Sequence, residues 1–138
     1  MTQPSMDSPK FVAGAFVEAI NRRDANEIAQ LMTEDHVFID SMGSKVQGRL
    51  KMMEGWQGYF RMVPDYSITV EETFGDGDVV VMLGTAQGTY FTSSGLLPEN
   101  RWATPGAWRV LVRGSQVAEW RVFADNEPIR LIMARNRK

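Results

Sequence analysis

Two groups on one short stretch could move a proton. The segment HVFIDSMGS, residues 36–44, ends three strand-forming residues on a carboxylate, Asp40, and then turns through Ser-Met-Gly. Asp is a poor strand residue, so its place directly after Val37, Phe38 and Ile39 needs a reason. One reason is the turn itself, because an Asp side chain bonds backbone amides just beyond it. The other is chemistry: a carboxylate on a cavity wall can act as a general base. His36 is the single histidine. Residues 36, 38 and 40 share a face on a strand, so a His36–Asp40 pair is a second arrangement able to do acid–base work near neutral pH. The plainer reading of His36 is a polar residue where a strand begins.

A second chemical resource is aromatic. Trp56, Tyr59, Tyr66, Tyr90, Trp102, Trp108 and Trp120 would hold a flat apolar molecule if they lined a cavity. At helical or strand spacing, the same residues also serve as ordinary core. Other chemistries find little support. One His, no Cys and scattered carboxylates give no metal-ligand cluster, so no metal and no cofactor are expected. Gly75-Asp76-Gly77-Asp78 is too short for a calcium loop and reads as a turn. Phosphate-loop and dinucleotide glycine motifs are missing.

The elements that must position these residues follow from period and punctuation. Residues 1–8 read as a flexible tail, with Ser8-Pro9 starting a helix as N-cap and first residue. Phe11, Ala15, Phe16, Ala19 and Ile20 mark its apolar face. Asp24 with Glu27 has capping-box spacing and opens a short second helix burying Ile28, Leu31 and Met32. Thr33-Glu34-Asp35 is expected to turn the chain into the strand at Asp40. Lys45–Gln47 fits a small strand. A third helix runs from Arg49 to about Met62, with Leu50, Met53, Trp56 and Phe60 on one face, and Pro64 stops it.

Beyond Pro64 the period becomes two. Tyr66, Ile68 and Val70 alternate with polar residues, Gly75–Asp78 marks a hairpin, and residues 79–90 form a long strand with Gly84 and Gly88 as bulges or bends. Trp102–Val112 is a strand broken early by Pro105-Gly106, and Val117–Ala124 is the last. Trp120 and Val122 then fall on one face, with Glu119, Arg121 and Phe123 on the other. Asp125-Asn126 reads as the cap of a final helix carrying Ile129, Ile132 and Met133. Three helices before an antiparallel meander define an α+β domain.

Bulk properties agree with a globular chain. Hydrophobic residues make up 43% and charged residues 23% of the 138, enough apolar material for a core. A net charge of -2 gives no electrostatic case for nucleic acid or an anionic membrane. The longest apolar run, Val79–Leu83, is far short of the roughly 20 residues that span a bilayer. The N-terminal residues carry no secretory signal pattern, and a cytoplasmic location is expected.

The sequence resembles the nuclear transport factor 2-like superfamily, in its SnoaL-like and ketosteroid isomerase-like branch. The resemblance rests on FVEAINRRDANEIAQLMTEDHVFIDSMGS, on Gly48-Arg49 at the start of the third helix, on MVPDY, and on VAEWRVFADN. It implies a cone-shaped α+β fold over residues 9–138, a curved, mostly antiparallel sheet wrapped over the N-terminal helices, and an apolar cavity. It also implies that Asp40 matches the isomerase proton shuttle. The isomerase oxyanion-binding Tyr position falls on Phe16, which donates no hydrogen bond, and the oxyanion-binding Asp position falls near Ala107. The chain also resembles limonene epoxide hydrolases, but the Arg and first Asp of their Asp-Arg-Asp arrangement fall near Gly84 and Ala86 and the other Asp falls on Val122, so that activity is set aside. A SnoaL-type acidic residue near the last strand has only the displaced Asp125.

The resulting expectation is binding of a small hydrophobic molecule in the cone. The chain would be either a cofactor-independent isomerase- or cyclase-like enzyme with Asp40 as base, or a non-catalytic binder or interaction module. Ligand contacts are expected from Phe16, Phe38, Trp56, Tyr59, Trp108, Trp120 and Val122, with His36 a secondary catalytic candidate. A homodimer through the sheet face carrying Phe123 is the expected assembly.

Overall fold

A computed structural model describes residues 8–137. The expected flexible tail lies, apart from Ser8, outside the described residues. Ser8 accepts a hydrogen bond from the Phe11 N–H at 3.3 Å and caps α1 (Pro9–Asn21). The buried face of α1 is Val12, Ala13, Phe16, Val17, Ala19 and Ile20, whereas Phe11 points largely to solvent. Asp24 caps α2 (Ala25–Gln30) through the Glu27 N–H at 3.1 Å.

The first strand, β1 (Met32–Ile39), starts earlier than its sequence implies. Met32 leaves the helix to pair with Val117, and Thr33–Asp35 are strand residues rather than a turn. Pairing with the last strand slips between Met32 and Val37, and the polar Glu34 and Asp35 stay exposed there. Next come β2 (Lys45–Gln47), α3 (Arg49–Met62), β3 (Ser67–Asp76), β4 (Val79–Thr89), β5 (Arg101–Arg113), β6 (Gln116–Ala124) and α4 (Glu127–Arg135).

Six strands form one mixed sheet in the order β2-β1-β6-β5-β4-β3. Only β1 and β6 run parallel among these pairs; the others are antiparallel. With the four α-helices of the described residues, this is the α+β architecture expected from the sequence. Pro105-Gly106 does not interrupt β5, which pairs continuously with β4. The last strand ends opposite Gly106, so Pro105 has a strand neighbour on one side only, where a missing N–H is tolerated.

Inside the sheet, α1 crosses β3, β4, β5 and β6, and α2 and α3 pack on each other beside β1. Buried on α3 are Met52 and Trp56, with Met53, Tyr59 and Phe60 packed against the core. Leu50 is 70% exposed, so the inward face of α3 is rotated from the one expected. Among the described residues, no helix is long and apolar enough to cross a membrane.

One side chain ties the helical layer to the sheet. Asn21, at the end of α1, donates to the Ile68 carbonyl at 2.9 Å and accepts from the Ile68 N–H at 2.7 Å. It thereby acts as a strand partner where β3 has none. Asn21→Ala leaves both backbone groups unpaired, and a loss of about 1–3 kcal/mol is expected by urea unfolding.

Candidate functional site

The open end of the layered helices and sheet holds a cavity of about 360 Å³. That is within the size range of small-molecule sites. Its walls come from paired rows of the sheet. Phe38 on β1 lies beside Trp120 on β6, and Trp108 on β5 lies opposite Val122 on β6 and Met82 on β4. Phe38, Trp108, Trp120 and Val122 all line the cavity, and α3 contributes Met52, Trp56 and Tyr59. Aromatic contacts knit these pieces, with Phe38 edge-on to Trp56 at 6.4 Å and Trp56 edge-on to Tyr59 at 6.4 Å.

Phe16 is not part of the lining. It is fully buried beneath the wall, 4.8 Å from the Trp120 ring and 6.0 Å from His36. The α1 face holding Phe16 is already filled by strand side chains. It therefore supports Trp120 instead of meeting a ligand, which corrects the expected contact.

Asp40 stands at the cavity rim, half-buried. Its Oδ1 accepts from the Met42 N–H at 2.9 Å and the Ser44 N–H at 3.0 Å. The backbone closes the same turn, with Gly43 N–H bonded to the Asp40 carbonyl at 2.9 Å. Gly43 has φ of 84°, in the region favouring glycine. Both readings of Asp40 thus coexist: one oxygen organises the turn, and the residue also lines the cavity.

His36 does not join it. The ring is 0% exposed, and Nδ1–H donates to the Val117 carbonyl at 2.8 Å, away from Asp40. That bond fixes the neutral Nδ1–H tautomer and leaves Nε2 buried without a partner. His36 is absent from the lining, so the His36–Asp40 pair does not form. Burial depresses its pKa below the ordinary 6.5, and the Val117 bond opposes that only in part.

A stability prediction follows. The folded pKa of His36 lies below the unfolded one, so the unfolded chain binds the extra proton first. The stabilising contribution is complete above about pH 6.5 and is lost as pH falls from there through the folded value. Thermal melts between pH 7.5 and 5.5 are expected to drop for the wild-type, and to drop less for His36→Phe.

The rim holds residues the sequence reading did not single out as ligand contacts. Asn126 makes no capping bond to α4; its Nδ2 donates to Ser41 Oγ at 2.7 Å, and both residues line the cavity mouth. Asp125 does the local work, accepting from the Glu127 N–H at 2.9 Å. Tyr66 and Trp102, two of the aromatics expected to hold a flat molecule if they lined a cavity, do line it, and Thr104 joins them. Trp102 and Thr104 share strand parity with Trp108, which was the available signal. Among the described residues, no group of three or more His, Asp or Glu side chains could hold a metal ion.

Comparison with known proteins gives the class. The sequence profile of the SnoaL-like domain family matches residues 13–127, so the chain belongs to the SnoaL-like domain family. Its fold is that of solved NTF2-like structures. A proposed SnoaL-like polyketide cyclase from Shewanella putrefaciens CN-32 superposes with a TM-score of 0.78 at 17% identity, covering 98% of this chain and 100% of that one. IdmH, a proposed polyketide cyclase from Streptomyces antibioticus, gives 0.75 at 21% identity, covering 92% and 99%. A Catenulispora acidiphila DSM 44928 protein with a ketosteroid isomerase-like fold, solved with trimethylamine, gives 0.72 at 19% identity, covering 88% and 85%. At these identities the likeness establishes the fold alone. No curated protein matches the sequence.

Proposed function

We propose that the cavity binds a small hydrophobic carbonyl compound and that Asp40 moves a proton on it, as a cofactor-independent isomerase- or cyclase-like enzyme. The observation that carries this reading is Asp40 on the lining of an otherwise aromatic cavity. Its turn holds Oδ1 through two amides, which fixes the carboxylate without using Oδ2 among the described residues. A base acting on carbon needs that fixed placement. The family and the cyclase names of its structural neighbours agree with such a role.

The test is deuterium uptake at the α-carbon of 1-tetralone, followed by NMR in D₂O. Wild-type protein is expected to accelerate exchange over buffer, and Asp40→Asn to lose about 10²–10⁴ of that acceleration. Equal exchange by both proteins would remove Asp40 as the base. Binding without any acceleration would favour the alternative, a non-catalytic binder.

A second copy of the chain is the partner this reading assigns to the outer sheet face. Phe123 is 47% exposed there, in a row with Ala107, Leu83 and Glu72. Arg121 stacks over the Phe123 ring at 4.7 Å, and Arg109 pairs with Glu119 at 2.8 Å. An apolar row flanked by both charges can match its own copy across a twofold axis. Light scattering is expected to give a dimer for the wild-type and a monomer for Phe123→Glu; a monomeric wild-type would end this assignment.

A further inference from the structure

The electrophilic half of an isomerase site has no match at Phe16 or Ala107. Another part of the cavity carries hydrogen-bond donors in its place. Tyr66 sits just before β3, where its N–H bonds the Val63 carbonyl at 3.2 Å and its carbonyl accepts from Arg23 at 3.1 Å. Its backbone is therefore held from both sides. The Tyr66 side chain meets three other rings: Tyr59 edge-on at 4.9 Å, Trp102 at 6.1 Å and Trp56 at 6.5 Å. All four residues line the cavity.

Each of these rings ends in one donor, an indole N–H or a phenol O–H. The Nε1 atoms of Trp56, Trp102 and Trp108 are sealed inside the wall, out of reach of a molecule in the cavity, which leaves the two phenols as the donors of these rings that a ligand can meet. Neither phenol is hydrogen-bonded among the described residues. Burial pushes both phenols above their ordinary pKa, so they remain O–H donors at neutral pH. Tyr66 itself is only 7% exposed. Buried donors are rarely left unpaired, because each costs about 1–3 kcal/mol when it is. Two such phenols in one cavity wall point to an acceptor arriving with the ligand.

The charge of that acceptor follows from the rest of the lining, which includes Asp40 and, among the described residues, no Lys, Arg or His. An anion would meet a carboxylate and no cation. We propose that the phenol O–H groups of Tyr66 and Tyr59 form a donor subsite for an uncharged carbonyl oxygen of the bound molecule. This rests on the cavity reading above and adds which groups select the ligand. The subsite lies on α3 and just before β3, so it is independent of the Phe16 and Ala107 positions.

The test compares two probes of one skeleton, 1-tetralone and tetralin, which differ by a carbonyl in place of a methylene. Calorimetric titration of the wild-type is expected to show tetralone binding about tenfold tighter. Without donors the order would reverse, since burying a bare carbonyl is unfavourable. Tyr66→Phe is expected to bring the ratio to one or below while leaving tetralin affinity in place. Tyr59→Phe serves as a second variant, with a smaller narrowing expected, should Tyr66→Phe not fold. A wild-type preference of one or below, or a ratio unchanged in the folded variants, overturns the subsite. Tetralin binding with no gain for tetralone leaves the cavity reading standing and removes this one; no binding of either probe removes both.

Discussion

Gly84→Ala is expected to destabilise the protein by more than the ~1–3 kcal/mol typical of overpacking, enough to cut soluble yield. At this position β3 carries one extra residue: Val70 pairs with Gly84, Glu72 with Leu83, and Glu71 is left over. The bulge brings the Thr69 carbonyl against the Gly84 Cα. A Cβ there would fall far inside contact distance of the Thr69 oxygen and carbonyl carbon. Those are backbone atoms, so no side chain can rotate away, and relief requires parting the β3–β4 ladder. Gly14→Ala is the control. Nothing lies near its Cβ position on α1, and a helix interior favours Ala over Gly by about 0.5–1 kcal/mol. Urea midpoints should therefore move in opposite directions for the two alanines.

Trp108→Ala is expected to cost about 3–5 kcal/mol and to change what the cavity admits. The indole is 0% exposed, lines the cavity, and packs under Gly106 on its own strand, where an added Cβ would meet the ring at 3.0 Å. Gly106 has no side chain so that this ring can lie flat beneath it. Removing the ring opens space that Met82 and Val122, its cross-strand neighbours, are too constrained to refill. Chemical unfolding reads the first effect. Uptake of a three-ring analogue of tetralone by the variant, weaker or missing in the wild-type, reads the second. A loss below about 1 kcal/mol would mean that the wall collapses and that Trp108 does not hold the cavity open.

Much of the fold was legible because its signals are local. Caps at Ser8 and Asp24, the stop at Pro64 and the hairpin glycine at Gly77 each act within a few residues. Strand parity also put Trp120 and Val122 on one face and Phe123 on the other. What failed depended on distant partners. Met32 looks helical until Val117 is present to pair with it, and Leu50 looks buried until α2 and β1 fix the rotation of α3. Asn126 reads as a cap because Ser41, its hydrogen-bond partner, is 85 positions away.

The site divides in the same way. Asp40 announces itself as a carboxylate ending an apolar run, and its turn is written in the next four residues. The geometry of His36 is set by Val117 and Phe16, neither near it in sequence, so its withdrawal into the core could not be read from strand parity alone. Tyr66 carries the least local signal. Its phenol matters only because α3 and β5 bring Trp56, Tyr59 and Trp102 around it.

The central claim is that a small hydrophobic carbonyl compound occupies the cavity between Phe38, Trp56, Trp108 and Trp120. Its most direct measurement is titration of 1-tetralone against the wild-type and against Ala124→Trp, followed by tryptophan fluorescence and calorimetry. Ala124 lines the cavity at the end of β6 and is only half-buried, so a larger side chain there fills the mouth without entering the core. Saturable binding at one site per chain in the wild-type, lost in folded Ala124→Trp, is the expected result. No saturable binding, or equal affinity in the two proteins, would contradict it.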